Sequence, residues 1–69
     1  MKLSARNRLR GTITAIKLGE VAASVELDVS GQRVVATITA EAVRDLGLAE
    51  GQEVTAVVKA SDVMIATEG

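Results

Sequence analysis

Residues 21–29 alternate without a break. Val21, Ala23, Val25, Leu27 and Val29 fall on one side of the count, and Ala22, Ser24, Glu26 and Asp28 on the other. A period of two is the geometry of a strand with one buried face and one wet face. A helix cannot sort these residues, because its period of 3.6 would scatter both sets around the axis. A strand also leaves backbone N–H and C=O groups to be paired along both of its edges. The flanking segments are therefore read first as its partners.

They fit that role. Ser30 and Gly31 make a hairpin turn, and a third strand over residues 32–38 places Val34, Ala36 and Ile38 inside. Val35 points the other way and is a candidate subunit contact. The first strand, residues 8–18, alternates imperfectly: Ile13 and Ala15 share one face, whereas Ile16 and Leu18 fall on the other. A bulge near Gly11 or Ala15 explains such a switch. Gly19 and Glu20 turn the chain. After residue 38 the period changes. Thr39 N-caps a two-turn helix, Glu41 suits the positive end of its dipole, Val43 and Leu46 face the core, and Gly47 supplies the left-handed stop. Leu48 turns back toward the core, and Glu50 and Gly51 form a turn. A fourth strand over residues 53–59 has Val54, Ala56 and Val58 on one face. Ala60, Ser61 and Asp62 break it, and residues 63–66 make a short last strand.

The order is three strands, a short helix and two strands. It predicts an all-β fold with one short helix, a five-stranded Greek-key barrel of the OB type. There is no proline, no Gly/Ser-rich linker and no internal repeat, so residues 1–69 read as a single domain.

A domain of 69 residues buries only about 60% of the surface its unfolded chain exposes. Ordering costs roughly 1.5 kcal/mol per residue, so a lone core of this size comes out near break-even. Without cysteine or histidine there is neither a disulfide nor the usual zinc set to close the gap. The apolar residues make up 48% of the chain, yet none is aromatic. Side chains this small suit a thin sheet pressed against copies of itself, and a homo-oligomer is expected. No apolar run approaches the ~20 residues of a membrane-spanning helix, and the opening residues lack the apolar stretch of a secretory signal. The chain is expected to be cytoplasmic.

An enzyme is hard to build from this inventory. The nine acids lie on wet faces, at turns or in the tail, and no serine has a partner base near it in sequence. Glu26 and Asp28 are spaced as a hard-cation pair, but on a strand that spacing is the ordinary solvated face. Nucleic-acid binding by an OB barrel rests on aromatic platforms and a basic groove. This chain has no aromatic residue and a net charge of −1.

Anion binding is better supported. The first ten residues carry Lys2, Arg6, Arg8 and Arg10 and no acid; the remainder holds nine acids against four bases, a net of −5. Donors gather at three places: Ser4, Ala5, Arg6 and Asn7; the helix start at Thr39; and Lys59, Ala60 and Ser61, where a strand breaks. If the ends of the third and fourth strands lie close together, the combined donors suit a compact dianion whose four oxygens need many hydrogen bonds.

Two stretches carry a family resemblance. The opening Ser4-Ala5-Arg6-Asn7-Arg8-Leu9-Arg10-Gly11 and the closing Val58-Lys59-Ala60-Ser61-Asp62-Val63-Met64-Ile65 resemble the molbindins, small Mop-type molybdate-binding proteins. Ile38-Thr39 and Leu46-Gly47-Leu48 continue the likeness between them. The resemblance implies an OB-like barrel assembled as a hexamer, a trimer of dimers. Such a hexamer holds molybdate or tungstate between subunits for storage and homeostasis, with no organic cofactor and no catalysis. It implies Ser4 and Arg6 as ligands from one subunit, and Thr39, Lys59 and the Ala60-Ser61 segment from its neighbour. Asn7 is assigned to a second type of site near the symmetry axis. Some relatives carry serine three residues after the Thr39 position, where this chain has Ala42, so its site has one hydroxyl fewer. A ligand-sensing regulatory or protein-interaction module of the same fold is the alternative reading.

Overall fold

The computed structural model describes residues 6–69. Four strands and one helix follow in the order β1 (Asn7–Leu18), β2 (Ala22–Val29), β3 (Gln32–Thr39), α1 (Ala40–Leu46) and β4 (Glu53–Val58). A 3₁₀ turn, Ala60–Asp62, comes after them. The strands form one antiparallel sheet in the order β3-β2-β1-β4.

β1 is long because it serves two partners. Its first half, Asn7 to Thr12, pairs with β4, and its second half, Thr12 to Leu18, pairs with β2. The change of face expected within it is present. The register slips between Ile13 and Ala15, so that Ile13 opposes Leu27, whereas beyond the slip Ile16 opposes Val25 and Leu18 opposes Ala23. Thr14 is the extra residue, and its hydroxyl donates to the Glu26 carbonyl at 3.2 Å. One inserted residue thus keeps Ile13 and Ile16 on the same side of the sheet despite their odd spacing. Gly11 lies where β1 passes from one partner to the other. A Cβ there would meet the Asp28 carbonyl oxygen at 2.7 Å and a Val29 methyl at 2.8 Å, so only glycine permits this approach.

β2 and β3 form a hairpin closed by Ser30 (φ 50°) and Gly31 (φ 87°), between the paired residues Val29 and Gln32. Two successive residues at positive φ match the right-handed twist of the strands they join. Ile13, Ala23, Val25, Leu27 and Val43 make the buried core, with Ile16, Val34, Ile38, Leu48, Val54 and Ala56 packed around it. On the opposite face Glu26 forms an ion pair with Arg33, which places that carboxylate against a guanidinium rather than in a cation site with Asp28.

Three expectations are corrected. Val21 was expected to begin the inward row of β2, but it precedes the strand and is 79% exposed. Leu46 was expected beside Val43 in the core; Val43 is buried, but Leu46 is 66% exposed because the helix is too short to tuck both under the sheet. The third concerns the barrel. Residues 63–66 were expected as a fifth strand, but among the described residues they have no ladder partner, and the sheet of described strands is open between its edges β3 and β4. Both edges line an apolar cleft of about 520 Å³, floored by Ile13, Val25 and Leu27.

An open sheet leaves excess surface. The accessible area is 5552 Å², where a compact monomer of this mass exposes about 4,100 Å². The radius of gyration is 13.0 Å, where about 11 Å is usual for a compact domain of this length.

Candidate functional site

The β1–β4 ladder decides which of the expected donors meet. Its outermost pair is Asn7 with Val58. Continued by one residue on each strand, the register sets Arg6 beside Lys59. The Asn7 side-chain amide donates to the Val58 carbonyl at 3.2 Å and ties the two strand ends together. Two cations far apart in sequence are thereby brought to one end of one ladder. Asn7 is half-buried and positions them. That structural role was not legible in the sequence.

Lys59 leads directly into the 3₁₀ turn. The Asp62 N–H donates to the Lys59 carbonyl at 2.9 Å and the Val63 N–H to the Ala60 carbonyl at 3.3 Å. The amides of Ala60 and Ser61 come before the first bonded position of this turn, where a helical turn offers its N–H groups outward. Arg6, Lys59, Ala60 and Ser61 are all exposed. Ser4 and Ala5, the other expected members of this cluster, lie outside the described residues.

Thr39 lies elsewhere. It opposes Ala22 at the start of β2, and the next residue, Ala23, opposes Leu18 at the end of β1. The ends of β3 and β4 therefore lie beside opposite ends of β1, on opposite edges of the sheet, and the expected meeting of these two strand ends is corrected. Strands that alternate in direction force this: β3 runs with β1 and β4 runs against it.

The helix start also offers less than expected. The Thr39 oxygen accepts from the Ala42 N–H at 3.0 Å, and the Ala40 N–H donates to the Val21 carbonyl at 2.8 Å. Of the amides of Ala40, Glu41 and Ala42, only that of Glu41 has no protein partner among the described residues. The Glu41 carboxylate already occupies the positive end of the dipole. What Thr39 retains is its hydroxyl proton. Replacing Thr39 with Ala should remove the cap and cost roughly 0.5–2 kcal/mol, whereas Thr39→Ser should keep most of it. Paired urea denaturation curves of the two variants check this, and equal losses would show that the cap does not matter.

A polar hollow of about 370 Å³ lies on the sheet beside Gly11 and is lined by Arg10, Thr12, Asp28, Ser30, Glu53 and Thr55. One cation faces two carboxylates there, so the hollow repels a dianion. The β1-start/β4-end cluster has the opposite balance: Arg6 and Lys59 flank its ladder end, and the adjoining turn contributes one acid, Asp62. Among the described residues, no three His, Cys, Asp or Glu side chains gather as a metal site, and no helix is long and apolar enough to cross a membrane.

Comparison with known proteins agrees with the fold. The family model described as the TOBE domain matches residues 3–65. Molybdenum-pterin-binding protein 3 of Clostridium pasteurianum is 47% identical over 66 residues, covering 94% of this chain and 97% of its own length. A solved molybdate-binding protein from Sporomusa ovata superposes with a TM-score of 0.93 at 42% identity, covering 97% of this chain and all of that one. The cytoplasmic molybdate-binding protein ModG, solved with molybdate bound, gives a TM-score of 0.82 at 49% identity over 87% of this chain and 43% of its own. A family match that spans both strand ends of the cluster, with full-length likeness to molbindin structures, settles the affiliation: the chain belongs to the TOBE domain family, in its molbindin-like form.

Proposed function

We propose that this protein binds molybdate or tungstate as the intact oxyanion and serves its storage and homeostasis in the cytoplasm. It acts as a binding protein rather than an enzyme, and the metal is held only through its oxygens. The observation that carries this reading is the pairing of Asn7 with Val58 at one ladder end, with Arg6 and Lys59 the next residues beyond it and the amides of Ala60 and Ser61 after them. A tetrahedral dianion needs charge-matched donors on several sides, and charge-assisted hydrogen bonds are the strong ones. The names of the relatives, which are molybdenum- and molybdate-binding proteins, support the choice of anion.

In the proposed site Ser4, Ala5, Arg6 and Asn7 approach the anion together with Lys59, Ala60 and Ser61. The Thr39 hydroxyl comes from a neighbouring copy, since it lies at the other end of its own sheet. One domain, residues 1–69, forms the repeating unit of a homo-oligomer, a hexamer built as a trimer of dimers. The excess surface of the single chain supports such an assembly, and Val35, 47% exposed on the outer face, is a contact for it. Ligand held between copies stabilises the assembly by mass action.

Selection against sulfate follows from size, because molybdate has longer bonds to oxygen. Selection against phosphate follows if Asp62 is turned away from the site, for then no acceptor meets the phosphate proton. Calorimetric titration with molybdate, tungstate, sulfate and phosphate tests the reading, with mass measured before and after. Saturable binding of the first two, with weak or no heat from the others, is expected. Equal affinity for all four, or none for molybdate, would sink it.

A further inference from the structure

Arg8 and Arg10 take no part in the candidate site, yet they lie on the strand that leads to it. Across the β1–β4 ladder Arg8 pairs with Val57 and Arg10 with Thr55, and Thr12 sits between Glu53 on β4 and Asp28 on β2. Ile13 points into the core, so residues 8, 10 and 12 point to the outer face. Arg8 and Arg10 are both exposed, as are Arg6 and Lys59, which flank the ladder end. The one ion pair among the described residues joins Glu26 to Arg33, so no carboxylate there holds Arg8 or Arg10.

The outer face of β1 therefore carries a graded charge. Two carboxylates flank the Thr12 row. Arg10, Arg8 and Arg6 follow toward the strand's start, two residues or about 7 Å apart. Arg8 has no acid beside it: its partner is Val57, and the residues diagonal to it on β4 are Thr55 and Lys59. Like charges this close repel one another. A face that served only to be wet would mix its signs, as β2 and β3 do with Glu26, Asp28 and Arg33. The rest of the chain repels an anion, since residues 11–69 carry a net −5. A dianion over β1 is thus pushed from the Asp28–Glu53 row and drawn toward the end flanked by Arg6 and Lys59.

We propose that Arg8 and Arg10 form a steering track, which guides the oxyanion along β1 and sets its association rate without touching it once bound. The proposal rests on the reading of the Arg6–Lys59 end as the oxyanion site. Fixed charges near a site raise the local concentration of an oppositely charged ligand. Charges at the rim act on association and its salt dependence, whereas groups in direct contact act on release. For a dianion at Arg6, a unit charge about 7 Å away is worth about fivefold in rate at ~10 mM salt, and one about 14 Å away about twofold. At ~0.15 M salt the screening length shrinks to about 8 Å, and these effects fall to about twofold and almost nothing.

The test times the uptake of radiolabelled molybdate by the full chain, using rapid filtration, and its release into a chase of unlabelled molybdate. Both are measured at ~10 mM and ~0.15 M salt. Arg8→Gln should slow uptake about fivefold at the lower salt and about twofold at the higher, and Arg10→Gln about twofold and hardly at all, with release unchanged in both. Arg8→Lys should keep the wild-type rate, because steering needs only the charge, whereas a contact made by the planar guanidinium fork would be lost. Faster release in Arg8→Gln, or no rescue by Arg8→Lys, would make Arg8 a ligand and overturn the proposal. Uptake unchanged at the lower salt in both Gln variants overturns it too. So does a change in mass at equal chain concentration, which would make the track a subunit contact. Should Arg8→Gln misfold by circular dichroism, Arg10→Gln and Arg8→Lys still decide the matter. A wild type that binds no molybdate defeats the functional reading and this proposal with it, whereas normal binding with unaltered rates in the variants defeats this proposal alone.

Discussion

Replacing Arg6 with Ala should weaken molybdate binding by roughly 1.5–3 kcal/mol, about 10- to 150-fold in Kd, the usual worth of a hydrogen bond to a charged group. The folded, unliganded protein should lose nothing. Arg6 is exposed, and the ladder sets it beside Lys59, so without an anion the two cations repel. Removing one relieves that repulsion while leaving the Asn7 tie to Val58 in place. Arg6→Lys should retain part of the affinity, since it keeps the charge but not the planar fork that matches two oxygens at once. Calorimetric titration of wild type and both variants, with circular dichroism and mass as controls for folding and assembly, measures this. An affinity unchanged in Arg6→Ala would defeat the site assignment even if the protein still bound molybdate elsewhere.

The second large effect is on stability. Ile13 is 1% exposed and is the largest fully buried side chain among the described residues. Cutting it to Ala should cost roughly 2–5 kcal/mol, and Ile13→Val roughly 0.5–1.5 kcal/mol. The core has few other residues to share the loss, because among the described residues only six hydrophobic ones are buried, Ile13 included. Ile13 also anchors the turn before β4: its N–H donates to the Gln52 carbonyl at 2.9 Å, and its carbonyl accepts from the Gly51 N–H at 2.8 Å. A void at Ile13 therefore loosens the junction of β1, β2 and β4 together. Each kcal/mol shifts the midpoint of a domain this small by about 4–8 °C, so Ile13→Ala should melt tens of degrees early. Scans must be compared at equal chain concentration, because assembly adds to apparent stability. A loss below about 1 kcal/mol in Ile13→Ala would mean that the core is centred elsewhere.

The two effects come from different layers of information. Ile13 could be chosen as a core residue from its neighbours in sequence, because alternation is a local property. The slip beside Ala15 was legible for the same reason: Ile13 and Ile16 cannot share a face without an inserted residue, and the structure inserts Thr14. The Ser30-Gly31 hairpin and the Thr39 cap with its Gly47 stop were legible from turn and cap chemistry acting over two to four residues.

The candidate site was legible as a list of donors but not as an arrangement. Arg6 and Lys59 were both named from charge and context, yet nothing within a few residues of either says that they flank the same end of one ladder. That follows from the register of β1 on β4. The same register, with β3 on the far edge, separates Thr39 from Lys59. The helix start looked rich in donors because its satisfaction depends on a carbonyl at Val21, far back in the chain.

The sequence by itself determined the bounds of four strands and the helix to within a residue, which face of each strand is apolar, and which residue types are present for chemistry. Steric and hydrogen-bonding preferences within a few residues suffice for these. Only the tertiary structure decided which strand ends meet, that Val21 and Leu46 stay outside, and that the expected fifth strand leaves an open edge. Those outcomes depend on pairing between distant segments and, at residues 63–66, on whether a partner strand exists at all. A strand has no hydrogen bonds of its own to hold it, so an apolar run in sequence becomes a strand only where another edge receives it.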